Sequence, residues 1–203
     1  MVANILKALE TRFSANAFDP STICEADIKE LVRLACTAPT AFNMQNWQFI
    51  AVLSAAAKER LQAASFGQEK IGQAAVVFIL CGTLPDHRLL YDRLLPSVEA
   101  GQITEAAAQN WVVAAERFYA GEATLQRDEA VRSASFAAFA LMMAAQAKGL
   151  GSCPIVGFEP EKVTQEFGLT SDNIPVLLVA VGYPAGPDRQ KTRLPAETIL
   201  TIL

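Results

Sequence analysis

The chain has 203 residues, of which 52% are hydrophobic and 19% are charged, and its formal net charge is −4. A length in the range of roughly 100–200 residues suits one domain with a sizeable apolar core, so we expect residues 1–203 to form a single domain. With 17 Lys and Arg against 21 Asp and Glu, the overall charge gives no electrostatic attraction to nucleic acid or to an anionic membrane surface. We therefore expect neither as a partner.

The N-terminal half of the sequence alternates helical patterns with strand-like apolar runs. A capping-box sequence, Thr22-Ile-Cys-Glu25, predicts the start of a helix that Pro39 ends. The expected elements are a helix at 3–12, that helix before Pro39, a strand at 47–53, a helix capped by Ser54 and a strand at 75–81. Both strand-like runs are bulky and apolar on both faces, which predicts two central strands.

The C-terminal half is more helical. The expected elements are an irregular helical stretch at 85–128, a long helix at 128–148, a short helix at 161–167 and a strand at 175–181. Pro96 and Gly101 interrupt the irregular stretch, and Gly149 follows the long helix. This order of elements predicts an α+β fold in which helices dominate and strands are few.

The cysteines and the N-terminus bear on the cellular location. The four cysteines lie in apolar stretches without CxxC or metal-ligand spacing, which predicts buried thiols in a reducing cytosol and no metal site. The first residues lack the features of a secretory signal, and the most apolar window, 134–145, is shorter than the ~20 residues that span a bilayer. We therefore expect a cytoplasmic protein.

Common catalytic and nucleotide-binding motifs are absent from this sequence. The segment from Gly149 to Pro154 lacks the third glycine of a dinucleotide fingerprint and follows a helix, where the fingerprint requires a strand. The sequence contains no phosphate-binding GxxxxGK[ST] loop and no GxSxG elbow, and His87 is its only histidine. A cofactor would therefore have to supply the chemistry.

Cations and hydroxyls near the two ends of the chain form a candidate phosphate site. Arg12 and Ser14 follow the first predicted helix, and Lys191 and Arg193 lie near the C-terminus. A guanidinium, an ammonium and a hydroxyl together suit a dianionic monophosphate. The alternative is that these cations are ordinary solvated surface charges.

A loop rich in amide side chains precedes the first predicted strand. Its Asn43 and Gln45 can each donate and accept hydrogen bonds, as the pyrimidine edge of an isoalloxazine ring requires. The alternative is that they satisfy only local backbone groups. Lys70, just before an apolar run, suits the flavin N1/O2 edge, where negative charge collects on reduction, or it is a solvated lysine at a helix end.

The order of these segments resembles the nitroreductase family along essentially the whole chain. The segments that carry the resemblance are Arg12-Phe-Ser14, Pro39-Thr-Ala-Phe-Asn43-Met-Gln45-Asn-Trp47, Gly149-Leu-Gly151-Ser-Cys-Pro154-Ile-Val-Gly157-Phe and Lys191-Thr-Arg193-Leu-Pro195. Any one of them is a weak signal, whereas four in order are specific. The resemblance implies an α+β fold with a small central mixed β-sheet flanked by helices, in an intertwined homodimer.

The resemblance further implies FMN at the subunit interface and NADH or NADPH as co-substrate. Hydride would pass to flavin N5 and on to a nitroaromatic, quinone or similar flat acceptor by a ping-pong mechanism, with no catalytic side chain. The resemblance then implies that the following residues lie at the cofactor: Arg12, Phe13, Ser14, Asn16, Thr40, Asn43, Gln45, Lys70, Pro154, Ile155, Gly157, Lys191 and Arg193. In this assignment Asn43 approaches the flavin across the dimer.

The chain departs from the family pattern at four positions. Asn16 stands where many members have Lys or Arg, and Val156 stands where a glutamate is frequent. Ala41 replaces a serine, and Asn46 replaces a proline. These departures predict retained FMN binding with a changed potential or substrate preference.

Aromatic residues in the irregular helical stretch leave two interpretations open. Trp111, Phe118 and Tyr119 lie at helical spacing, which is typical of core or dimer packing. By the resemblance, Phe118 or Tyr119 would instead cap the flavin and size the substrate pocket. Two other functions also stay open, a flavin-binding dimer for storage or regulation with little turnover and a helical interaction module without cofactor.

Overall fold

The computed structural model describes residues 5–187 and 190–203. Its helices are α1 Ile5–Thr11, α2 Glu25–Ala35, α3 Ala55–Ala63, α4 Glu69–Gln73, α5 Leu90–Glu99, α6 Glu105–Tyr119, α7 Ala123–Ala147, α8 Pro160–Phe167 and α9 Ala196–Ile199. Its strands are β1 Trp47–Val52, β2 Val76–Thr83, β3 Gly151–Ile155 and β4 Asn173–Gly182. The predicted start of the first helix at residues 3 and 4 lies outside the described residues.

The four strands form one sheet in the order β1-β2-β4-β3, and all three strand pairings are antiparallel. The expected mixed sheet therefore needs correction, because β4 lies between β2 and β3 and runs opposite to both. The one parallel pairing among the described residues is the isolated bridge between Ser14 and Ser152. The expectation of two central strands is wrong for β1, which is an edge strand with Gln48 and Ala51 exposed.

Helices cover both faces of this sheet. Alternate side chains of β2, Val77 and Ile79, pack on one side with Leu61 of α3 and Val163 of α8. The intervening β2 residues pack on the other side with α2 and α7, and Leu141 of α7 is fully buried there. By length and composition alone α7 could cross a membrane, yet half of its most apolar window is buried inside the protein, as in a core helix.

Side-chain hydrogen bonds at helix ends confirm one predicted cap and show that another is wrong. Ser54 caps α3 as expected, since its side chain accepts a hydrogen bond from the Ala57 N–H. The predicted capping box at Thr22 is wrong, because Cys24 is the N-cap of α2 and its thiol accepts from Asp27 N–H. The sequence patterns also missed β3 and α9, which have no periodic apolar signal of their own.

Helices α5 and α6 form a smaller cluster beside the main core. Tyr119 is buried in it at 2% exposure, and its ring meets Phe42 edge to face at 6.3 Å between centroids. Met44 is fully buried in the same cluster. The loop before β1 is therefore packed directly against the helical insertion.

The buried tyrosine predicts a loss of stability at alkaline pH. Burial, and then the neighbouring Glu129 carboxylate, raise the pKa of Tyr119 from 10.0 to about 12. Since the unfolded state releases this proton first, the stabilisation is present below pH 10 and is lost as the pH rises towards 12. We expect the free energy of unfolding to fall more steeply over this range for the wild type than for Tyr119→Phe in chemical denaturation. Equal slopes would contradict this.

Candidate functional site

The segment from Thr11 to Asn16 lies along β3, the edge strand opposite β1. Ala15 N–H donates to the Ser152 carbonyl at 3.0 Å, next to the parallel bridge between Ser14 and Ser152. Behind the segment, Gln146 Nε2 of α7 donates to Thr11 Oγ1 at 3.2 Å. Phe13 packs partly buried against the core. The fold thus fixes the predicted residues Phe13 and Ser14 on the sheet edge.

Arg12 is half-buried, and its Nη1 atom is buried without a hydrogen-bond partner in the described chain. A charged N–H group buried without an acceptor is costly, so this position fits an anionic ligand. Ser14 follows two residues later, and its hydroxyl can donate a hydrogen bond to the same anion.

Asn16 lies between two adjacent cavities. One, of about 260 Å³, is lined by Asn16, Gln68, Glu69 and Lys70. The other, of about 220 Å³, is lined by Phe13, Ser14, Asn16, Ala17 and residues 185–187. The structure therefore brings Lys70 of α4, predicted from its place before an apolar run, next to the Arg12 segment.

The loop that follows β3 contacts the residues that line the cavity beside Lys70. Ile155 is buried at its start, whereas Pro154 and Val156 are exposed, Val156 at 81%. Gln68 Nε2 donates to the Gly157 carbonyl at 2.7 Å. Because Gln68 and Lys70 line the same cavity of about 260 Å³, here called the Lys70 cavity, this bond connects the loop to that cavity. The sequence patterns did not single out Gln68, because its partner is 89 residues away.

The amide loop before β1 has an unusual backbone. Phe42, Asn43 and Gln45 have φ values of 54°, 53° and 49°, a region that costs a non-glycine residue roughly 1–3 kcal/mol. Thr40 Oγ1 accepts from Gln45 N–H at 2.9 Å, and Arg93 Nη1 of α5 donates to the Met44 carbonyl at 2.5 Å. The loop thereby holds Asn43 and Gln45 exposed to solvent.

Within one chain, the amide loop lies far from the Arg12 segment. The loop leads into β1 and the Arg12 segment borders β3, and these strands form opposite edges of the sheet. Three inter-strand spacings separate the edges, roughly 14 Å. The structure therefore assembles Arg12, Ser14, Asn16, Lys70 and the 154–157 loop in one place, and leaves Asn43 and Gln45 elsewhere.

The other predicted residues lie in the C-terminal tail and in α6. Gln190 Nε2 donates to the Thr11 carbonyl at 2.8 Å, so the tail begins beside the Arg12 segment, and Lys191 and Arg193 are exposed there. Phe118 is 54% exposed and stacks edge to face on Tyr119 at 5.0 Å. The burial of Tyr119 favours the packing alternative for that ring.

Comparison with known proteins identifies the family of the chain. A model of the nitroreductase family matches residues 9–183, a range that runs from the Arg12 segment through β4. The chain belongs to the nitroreductase family. Its members include proteins that resemble this chain along nearly their whole length.

Two sequence relatives and one solved structure illustrate the likeness. The chain is 31% identical over 203 residues to Bacillus subtilis YodC, covering all of both chains. It is 32% identical over 190 residues to a Thermus thermophilus NADH dehydrogenase, covering 93% of this chain and 91% of that one. An Exiguobacterium sibiricum protein crystallised with FMN has the same fold, with a TM-score of 0.92 at 24% identity over 99% of this chain and 98% of that one.

Proposed function

We propose that this protein is a cytoplasmic, homodimeric FMN enzyme that takes hydride from NADH or NADPH and reduces nitroaromatics, quinones or similar flat acceptors by a ping-pong mechanism. As a nitroreductase-family member it is an FMN-dependent NAD(P)H oxidoreductase, and the relatives named above agree with that. The observation that carries the proposal is the buried Arg12 Nη1, which has no hydrogen-bond partner among the described residues and lies near Ser14 and the cavity lined by Lys70.

The described residues fit FMN. Arg12, Ser14, Lys191 and Arg193 would hold its phosphate and ribityl region, since they combine cations with a hydroxyl donor. Lys70 would place a positive charge near the flavin N1/O2 edge, and Pro154, Ile155 and Gly157 would lie against the ring. When bound, FMN supplies the hydride-accepting ring atom, so no side chain has to act as a nucleophile or base.

The proposed dimer accounts for the separated amide loop. Asn43 and Gln45 cannot reach the Arg12 site of their own chain across the sheet, but a second copy can bring its loop there. Apolar side chains that a subunit interface would cover are exposed on α7, where Phe136 and Phe139 are each 48% exposed. Further exposed apolar residues lie in the tail: Leu194, Ile199, Leu200, Ile202 and Leu203.

If the dimer completes the site, breaking the dimer removes FMN. We expect Phe136→Asp combined with Phe139→Asp to give a monomer in analytical ultracentrifugation that binds FMN at least tenfold more weakly in fluorescence titration. The matched control is Leu53→Asp, which changes an apolar side chain of similar exposure, 47%, outside α7. A monomeric variant with wild-type FMN affinity would contradict the shared site.

The activity itself is tested by the visible spectrum of the purified protein. We expect a yellow protein whose flavin bleaches rapidly when NADH or NADPH is added without oxygen, and which recovers its colour on adding a quinone or a nitroaromatic. A yellow protein that stays oxidised would favour the storage or regulatory alternative, for which the exposed Val156 and Asn16 are the sequence grounds. A colourless protein that binds no FMN would favour the interaction module.

The departure at Asn16 predicts a specific electrostatic effect. Asn16 lines the cavity that also contains Lys70, so Asn16→Lys would add a second cation near the proposed flavin. A cation stabilises the negative charge of reduced flavin, so we expect a higher midpoint potential in spectroelectrochemistry, by about 30 mV for each tenfold change in the equilibrium. An unchanged midpoint potential in Asn16→Lys would contradict the assignment of Asn16 to the flavin site.

We retain Phe118 as the side chain that would cap the ring and size the substrate pocket. Its exposure leaves it available to a ligand or to a partner subunit. Tyr119 would support it from within the α5 and α6 cluster.

A further inference from the structure

The amide loop, residues 40–45, adopts a backbone that its own residues do not favour. Phe42, Asn43 and Gln45 have positive φ values, and each costs roughly 1–3 kcal/mol for a non-glycine residue. The backbone hydrogen bonds inside the loop are local, as is the one from Asn43 N–H to the Thr40 carbonyl at 3.1 Å. Such a conformation persists only where the surrounding structure holds it.

One peptide of this loop is held on both sides. The Met44 carbonyl accepts from Arg93 Nη1 of α5 at 2.5 Å. The N–H of the same peptide, which belongs to Gln45, donates to Thr40 Oγ1 at 2.9 Å. Among the described residues, the bond from Arg93 is the one hydrogen bond that joins the loop to a part of the chain distant in sequence. The orientation of the Met44–Gln45 peptide therefore depends on α5.

Helix α5 is a fixed support for this bond. Leu90 and Leu94, on either side of Arg93 in the helix, are fully buried in the cluster that α5 and α6 form. Met44 is fully buried in the same cluster, so side-chain packing brings the loop against α5 while the hydrogen bond sets the direction of its carbonyl. Arg93 is half-buried, so its charge-assisted bond is partly shielded from water.

We propose that Arg93 is a positioning residue that acts on the FMN of the partner subunit, by fixing the Met44–Gln45 peptide so that the amide loop of its own chain meets that flavin. This inference rests on the proposed dimer with FMN at its interface. The loop lies at the sheet edge opposite the Arg12 segment, so each FMN would be held by Arg12 of one subunit and by the loop of the other. Arg93 contributes no contact of its own to the flavin and acts through the loop alone.

The first comparison is Arg93→Met with Arg88→Met. Both variants remove one positive charge at or just before α5, but the Arg88 side chain is 78% exposed and pairs with Asp86 at 2.8 Å rather than with the loop. For Arg93→Met we expect a folded dimer whose dissociation constant for FMN rises about three- to tenfold, the usual effect of one hydrogen bond. For Arg88→Met we expect the wild-type value. Fluorescence titration measures the affinity, and analytical ultracentrifugation measures the dimer.

Mixed dimers separate an effect on the partner from an effect within one chain. Subunits with Arg93→Met and subunits with Arg12→Ala are co-expressed with different tags and purified as the heterodimer. In that dimer the intact Arg12 belongs to the Arg93→Met subunit and meets the intact loop of the Arg12→Ala subunit. We therefore expect one site per mixed dimer with wild-type FMN affinity, whereas neither variant homodimer has such a site.

Thr40→Val provides a second loop variant, because it removes the hydroxyl that accepts from the N–H side of the same peptide. We expect its subunits to restore one site when they are paired with Arg12→Ala subunits. Paired with Arg93→Met subunits they should restore none, since both loops of that dimer are then defective. Restoration in this second pairing would contradict a common action of Arg93 and Thr40 on one loop.

A mixed dimer of Arg93→Met and Arg12→Ala without a wild-type site would overturn the proposal, since the loop would then act within its own chain or not at all. Equal FMN affinity of Arg93→Met and Arg88→Met would overturn it too, as would a loss of FMN that accompanies unfolding or dissociation of the Arg93→Met dimer. A wild type that binds no FMN would overturn the proposed function together with this inference, whereas the other results leave FMN binding itself intact.

Discussion

We expect the replacement of Arg12 with alanine to weaken FMN binding by about 10- to 100-fold. Hydrogen bonds to a charged group contribute roughly 1.5–3 kcal/mol, and 1.4 kcal/mol corresponds to a factor of ten in affinity. The buried Nη1 atom of Arg12 has no acceptor in the described chain, so it would be free to bind the FMN phosphate proposed to lie there. Fluorescence titration of the apo-protein with FMN measures the change.

The matched control for Arg12→Ala is Arg33→Ala. Arg33 is exposed on α2 and pairs with Glu30 through an Nε to Oε2 distance of 2.7 Å, and it lines neither of the two cavities beside Asn16. We expect its FMN affinity to equal that of the wild type. A loss of less than threefold in Arg12→Ala, or a similar loss in both variants, would show that Arg12 does not bind the phosphate.

We expect the replacement of Gly82 with alanine to destabilise the fold by about 3 kcal/mol or more, at or beyond the upper end of the usual cost of overpacking a core. The new Cβ would lie 2.2 Å from the Ala130 carbonyl oxygen of α7, so the helix must move away from β2. The clash involves backbone atoms, which cannot rotate aside as a flexible side chain can. Urea unfolding followed by circular dichroism measures the change.

Gly157→Ala provides the comparison for Gly82→Ala, since both add one methyl group at a glycine. At Gly157 the new Cβ meets only ordinary contacts, so we expect the stability of the apo-protein to change by less than about 1 kcal/mol. FMN binding should nevertheless weaken, because the ring is proposed to lie against this backbone. Wild-type stability in Gly82→Ala would contradict the close approach of α7 to β2.

Short-range sequence patterns are sufficient to predict many of the helices and strands. The apolar runs around β2 and β4 and the long helix α7 are visible in the sequence because their residues bury side chains wherever they pack. Ser54 was recognised as a cap because its hydrogen bond spans only three residues. The missed strand β3 is five residues long and includes a proline, and only its pairing with β4 makes it a strand.

The order of motifs along the sequence is enough to identify the family and to nominate Arg12, Ser14 and Gly157, because a family signature is a linear pattern. Lys70 is nominated by its place before an apolar run. The tertiary structure decided what these residues can do. It buries Arg12 Nη1 without an acceptor among the described residues, places Asn43 and Gln45 at the opposite sheet edge and joins Gln68 to Gly157. Such relations depend on contacts between residues that are distant in the sequence, for which local composition and spacing carry no signal.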